Sequence, residues 1–202
     1  MARLNRIGPD GSFSDVPLRG GLMGNRGILH GADGAWSGRK WGHRNWVSCV
    51  LDFKGRKQTI NAPGKYTQLF FLDEAVSLAA GHRPCHKCRR AASSDFLGRY
   101  HRLHGTRSAT EVDAHLNPAR CGRGGQQIRV EAEASGLPAG SFVIQGDQPL
   151  LLLRHSARAY LGDGYGPEID RPVGVVTALT PAPIIAVLAD GYRPGLHPSV
   201  GH

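Results

Sequence analysis

Apolar residues recur along this chain with two periods, and the change of period divides it. Leu72, Ala75, Val76 and Ala79 stand at helical spacing, with Asp73 and Glu74 where a helix N-terminus favours acids. Gly81 is a natural residue to follow the helix and Pro84 prevents its continuation, so the pattern predicts a helix over 73–80. A second helix is predicted over 88–104, with Phe96, Tyr100 and Leu103 on one stripe. Shorter periods mark strands. WVSCVLDF at 46–53 is rich in β-formers and partly alternating. A turn at 54–56 would return residues 56–60 as its hairpin partner, and 61–64 is a loop. Residues 66–71 are apolar and aromatic, either a strand or the entry to the helix, and Ile28 to His30 is a candidate strand among glycine-rich turns.

Residues 117–127 read as an exposed basic loop, and from Gly140 the character of the chain changes. Residues 142–144 and 150–153 read as strands around a Gly-Asp turn, 160–171 as a Gly/Pro loop, and 173–179 as a further strand. A short helix over 183–189 follows, with Thr180 a candidate N-cap. The pattern implies an α+β fold: a small mixed or antiparallel sheet with flanking helices in residues 1–130, and a β-rich unit in 131–202 packed on it without a flexible linker. AVSLAAGHRPC at 75–85 is echoed by AVLADGYRPG at 186–195, with His197 close behind. The echo reads as one helix-terminating device used twice, or as a decayed duplication that brings His197 towards the first copy.

Composition sharpens this. Of 202 residues, 28 are glycine and 13 proline, which favours many turns and short strands. The formal charge is +9, and it is uneven. Between Arg39 and Lys65 the only acid is Asp52, and from Arg83 to Arg129 ten Lys and Arg face Asp95, Glu111 and Asp113. Such an excess suits a polyanion, most often nucleic acid, although solubility alone also accounts for it. No apolar run reaches the roughly 20 residues that span a membrane, and the first residues lack the apolar core of a signal peptide. A cytoplasmic location with reduced cysteines is therefore expected.

Cys85-His86-Lys87-Cys88 is a CxxC, and two thiolates at this spacing can bind one tetrahedral Zn²⁺. The neighbouring Arg83, Lys87, Arg89 and Arg90 are expected to favour thiolate. A redox CxxC normally opens a helix after a buried strand. This one follows a helix and a Gly-x-Arg-Pro turn, which favours zinc. Cys49 is the best third ligand. The fourth is open among Cys121, His30 and His197, with His43, His82 and His86 as further histidines; with three ligands only, water could complete a catalytic site.

YTQLFFLDEAVSLAAGHRPCHKCRR, residues 66–90, resembles the second half of the zinc-binding domain of Ada-type DNA methylphosphotriester repair proteins. There an aromatic strand leads to a helix ending in Ala-Gly-x-Arg-Pro-Cys-x-x-Cys. The resemblance covers about an eighth of the chain. It implies a Cys₄-type zinc fold, contact with the DNA backbone, and Cys85 and Cys88 as ligands. The family's upstream cysteine pair, which holds the methyl acceptor, is reduced here to Cys49. Methyl transfer is therefore not implied.

Two other constellations carry chemistry. Trp36, Trp41 and Trp46 lie among Arg39, Lys40, His43 and Arg44, an interleaving that suits base stacking beside phosphate contacts, or a tryptophan-anchored core, the role expected of Trp46 on the Cys49 strand. His101 and His104 stand one helical turn apart with Glu111, Asp113 and His115 nearby, a candidate second metal or hydrolytic site. No HExxH, GxSxG or P-loop occurs. The leading expectation is a zinc protein that contacts DNA or another nucleic acid through Arg83, Lys87, Arg89, Arg90, Arg39, Lys40, Arg44 and Trp41. A zinc-dependent enzyme acting on nucleic acid and a zinc scaffold for a protein partner are the alternatives.

Overall fold

The structure, a computed structural model, describes residues 4–17, 19–55 and 59–201. It is an α+β fold of two six-stranded sheets and four α-helices. The first sheet holds β1 (Arg6–Ile7), β2 (Phe13–Ser14), β3 (Leu22–Asn25), β4 (Val47–Val50), β5 (Leu69–Phe71) and β6 (Arg83–Pro84), in the order β2-β1-β5-β3-β4-β6. Helices α1 (Glu74–Ala79), α2 (Arg90–His104) and α3 (Ala109–Arg120) belong to this half of the chain. The second sheet is antiparallel throughout and β-rich, as expected of the C-terminal half. It holds β7 (Val130–Glu133), β8 (Phe142–Gln145), β9 (Gln148–Leu152), β10 (Ser156–Tyr160), β11 (Tyr165–Asp170) and β12 (Val175–Ala178), in the order β11-β10-β9-β8-β12-β7. Helix α4 (Ala182–Ala189) follows.

Every residue of α1 is buried, and its small side chains let it pack closely. Leu72, Ala75, Val76 and Ala79 join Ile7, Leu69 and Phe71 of the first sheet, Phe142 and Leu151 of the second, and the loop residues Leu29 and Leu179, in one apolar cluster. Asp73 caps α1 by accepting from the Val76 amide at 2.9 Å. The same carboxylate accepts from the Tyr165 hydroxyl and the His197 amide, both at 2.9 Å. Glu74 accepts from the Tyr192 hydroxyl at 2.6 Å and the Gly195 amide at 3.0 Å. Two acids at a helix N-terminus thus hold the C-terminal segment, and they place His197 on the capping carboxylate. The faces of α2, α3 and α4 close a second cluster around Phe96, Tyr100, Leu116 and Ile184.

Several expected elements differ. Residues 117–120 complete α3, with Pro118 inside the helix, instead of forming a loop. The 160–171 segment holds β11, an edge strand, where a proline removes no needed donor. Leu103 is 43% exposed and lies off the buried stripe, and α2 begins at Arg90 rather than Cys88. His30 makes only an isolated bridge to Trp36. Thr180 does not cap α4; its hydroxyl accepts from the Phe142 amide at 2.8 Å. Arg56, Lys57 and Gln58 of the expected hairpin lie outside the described residues, and Thr59 and Ile60 enter a turn.

Gly81 ends α1 as expected, with φ at +81°. A Cβ there would meet Arg120 Cδ at 2.8 Å and its Cβ at 2.9 Å. Gly81→Ala is expected to lower stability by about 1–3 kcal/mol from backbone strain alone. Urea denaturation checks this, and a loss within error would show that Arg120 and the turn move aside without penalty.

Candidate metal centre

The turn at Gly81 reverses the chain so that Arg83 and Pro84 run parallel to β4, with Val47 opposite Arg83 and Ser48 opposite Pro84. The ladder extends one step further, because the Cys85 amide donates to the Ser48 carbonyl at 2.9 Å. This register sets Cys85 beside Cys49. The CxxC then folds as a tight turn, with the Arg89 amide donating to the Cys85 carbonyl at 2.9 Å. The Cys85 sulfur accepts from the Lys87 and Cys88 amides, and the Cys88 sulfur accepts from the Val50 amide. Cys49, Cys85 and Cys88 converge so that their sulfurs all lie within 4.8 Å of one another.

The thiols share protons in this arrangement. The hydrogen bond from the Cys49 thiol, helped by the two backbone amides, pulls Cys85 down to about 5. Cys49 is pushed up because it donates to Cys85 and is partly desolvated, and burial raises Cys88. The thiolate is thus set by the neighbouring thiol and the turn's own amides, where the flanking cations were expected to supply the effect.

A tetrahedral zinc with Zn–S bonds of about 2.3 Å holds its sulfurs about 3.8 Å apart. Three sulfurs already within 4.8 Å need little movement to meet this, and a soft thiolate set suits Zn²⁺. The residues present therefore fit a metal ion. Among the described residues no other group of three such side chains is close enough to hold one.

The other expected ligands have different partners. Cys121 is buried at the end of α3, its Sγ 3.7 Å from the Asn117 carbonyl. His30 Nδ1 lies 2.6 Å from the Thr67 hydroxyl and its Nε2 3.3 Å from the Ala62 carbonyl. His197 Nδ1 lies 2.9 Å from the Ser199 hydroxyl. His82 is wholly buried against Trp46 and Phe71, and burial beside Arg26 and Arg120 keeps it neutral. None of these lines the hollow in front of the sulfurs. That hollow is a cavity of about 610 Å³ walled by β3, β4, β5 and their loops, including Met23, Leu51, Phe53, Tyr66 and Phe70.

The basic residues divide into two groups. Arg83 is buried and binds Asp113 with two hydrogen bonds, at 2.9 and 2.7 Å. Arg89 pairs with Glu74 at 2.7 Å and donates to the Ser48 hydroxyl at 3.0 Å. Both were expected to face phosphate; both instead fasten the CxxC turn to α3, α1 and β4. Lys87, Arg90, Arg39 and Arg44 are exposed, and Lys40 and Trp41 are half-buried. Trp46 is core, with the Arg26 and Arg120 guanidinium carbons 4.1 and 4.2 Å from its ring centre. Trp36 stacks on Phe13.

His101 and His104 have local roles as well. His101 Nδ1 meets the Thr106 hydroxyl at 2.8 Å, and the His104 ring packs on Tyr100. Of the acids expected beside them, Asp113 is taken by Arg83, and Glu111 caps the start of α3 by accepting from the Arg107 amide at 2.9 Å. Sequence reasoning missed the cavity. Its only sequence signal was the aromatic run around β5, from which Phe70 faces the hollow while Phe71 enters the core.

No family model, curated protein or solved structure matches this chain. The likeness of residues 66–90 to the Ada-type zinc domain therefore rests on the motif alone. No helix among the described residues is long and apolar enough to cross a membrane.

Proposed function

We propose that this protein binds Zn²⁺ through Cys49, Cys85 and Cys88 and contacts a nucleic acid, DNA by its Ada-like motif, through the exposed cations beside that centre, without transferring methyl groups. The observation that carries the zinc reading is the convergence of three sulfurs from β4 and the CxxC turn, with backbone amides already aimed at Cys85 and Cys88. Bound zinc would tie the edge strand β6 and the start of α2 to β4. The nucleic-acid reading is supported by the charge of +9 and by the exposure of Lys87 and Arg90 next to the sulfurs.

Zinc-dependent hydrolysis is the weaker reading. Among the described residues, no histidine or carboxylate lines the cavity to take a proton from water. A closed four-ligand scaffold is likewise less well supported, because Cys121, His30 and His197 all point to other partners.

Metal analysis tests the centre. Purified protein should retain about one equivalent of zinc, and Cys85→Ser should lose it; a variant that keeps stoichiometric zinc refutes the ligand set. Binding of labelled DNA should weaken with salt, and Arg90→Ala should reduce the salt slope by about 1. An unchanged slope in both Arg90→Ala and Lys87→Ala would remove the phosphate surface from this face.

A further inference from the structure

The cavity in front of the three sulfurs is walled largely by apolar side chains, with Asn25, Gln68 and Lys87 among them. Phe53, Tyr66 and Phe70 supply aromatic surface, with Met23 and Leu51 between them. Its volume of about 610 Å³ is that of a small-molecule site. Its rim reaches solvent, since Leu51 is 47% and Ile60 37% exposed.

Cations accompany the rings. Lys87 lines the cavity, the Lys54 ammonium lies 5.7 Å from the Phe53 ring centre, and the Arg6 guanidinium lies 4.6 Å from that of Phe70. No carboxylate lines the cavity among the described residues. Gln68 has its side chain tied to the Asn61 amide at 2.9 Å and the Thr59 carbonyl at 3.3 Å. The walls therefore offer stacking and apolar contact more than hydrogen bonds to a ligand's edge. A matching ligand has a flat uncharged ring and an anionic group a short reach away. A simple apolar molecule would make no ion pair with Lys87, and a bare phosphate would make no contact with the apolar walls.

We propose that this cavity takes the base of a nucleotide, its ring against Phe53, Tyr66 and Phe70 and its phosphate towards Lys87 and Lys54. For a base within a strand, the inference rests on the nucleic-acid reading above; a free nucleotide presents the same chemistry. Stacking without edge recognition makes the pocket tolerant of base identity.

The test compares three probes on the zinc-loaded full chain: a single strand of about 12 nucleotides, an abasic strand of the same length, and a nucleoside monophosphate. The normal strand should bind about ten-fold or more tighter than the abasic one. Phe53→Leu and Tyr66→Leu, which keep apolar bulk and should retain zinc, should each shrink that preference several-fold. Phe53→Tyr should preserve it. If both strands bind equally, the pocket is overturned while the nucleic-acid reading stands. If only the monophosphate binds, and both leucine variants weaken it, the pocket stands with a free nucleotide as ligand and the nucleic-acid reading falls. A base preference untouched by both leucine variants, or no binding of any probe, overturns the pocket.

Discussion

Asp113→Ala is expected to destabilise the protein by about 3–5 kcal/mol, because it strands a buried charge. The Arg83 and Asp113 side chains are 7% and 6% exposed, and the carboxylate holds the guanidinium at two points. Without it, Arg83 has no solvent to turn to. At about 2–4 °C per kcal/mol for a chain of this size, the melting temperature should fall by about 6–20 °C. The effect should also reach the metal centre. Arg83 lies on β6, whose sheet partner is β4, and the chain enters Cys85 directly from that strand. Zinc should therefore leave Asp113→Ala faster on dilution into chelator. The double variant Arg83→Met/Asp113→Leu removes both charges and should recover most of the lost stability, as apolar replacement of buried pairs often does. A loss below about 1 kcal/mol in Asp113→Ala, or a double variant no better than the single one, would show that the pair is hydrated and unimportant.

How far this arrangement could be read from sequence depended on whether a signal was local. Helix α1 was legible because its cap, its apolar spacing and its glycine stop all lie between Asp73 and Gly81. The CxxC was legible for the same reason, and Cys49 followed from its place on a clear strand. Helix α3 was not legible, because residues 117–127 read as a basic loop while tertiary contacts of Leu116 and Arg120 keep the helix intact through Pro118 to its last turn. The resting places of the arginines were the least legible. Arg83 and Arg89 flank the CxxC as Lys87 and Arg90 do, and nothing local distinguishes the four. The distinction lies in Asp113 on α3 and Glu74 on α1, acids that only the folded chain brings near. Trp46 is the opposite case: its place on the Cys49 strand marked it as a core anchor, and it is buried, stacked beneath two of the protein's own arginines.

If the three cysteines hold zinc as proposed, removing it is expected to lower the melting temperature without unfolding the chain at room temperature. With free zinc at 1,000 times its Kd, binding adds about 4.1 kcal/mol to the native state, and at about 2–4 °C per kcal/mol this corresponds to about 8–16 °C. The fold should survive because its apolar clusters are centred on α1, on the faces of α2 to α4, and under the second sheet, whereas the sulfurs sit where β4 meets the short edge strand β6. Cys85→Ser should therefore fold, melt lower, and ignore a chelator that shifts the wild-type protein. Acid should mimic the chelator, in a direction fixed by the thiols. In the metal-free centre Cys85 titrates at about 5, whereas Cys49 and Cys88 are raised and hold their protons at neutral pH. Zinc must displace those two protons, so its affinity and its share of stability fall as pH drops, well before the Cys85 thiolate is lost. Thermal melts at several pH values, with and without chelator, should show two curves that converge towards acid. Curves that coincide at pH 7.5, where zinc should be bound most tightly, would mean that these three cysteines hold no metal of consequence to the fold.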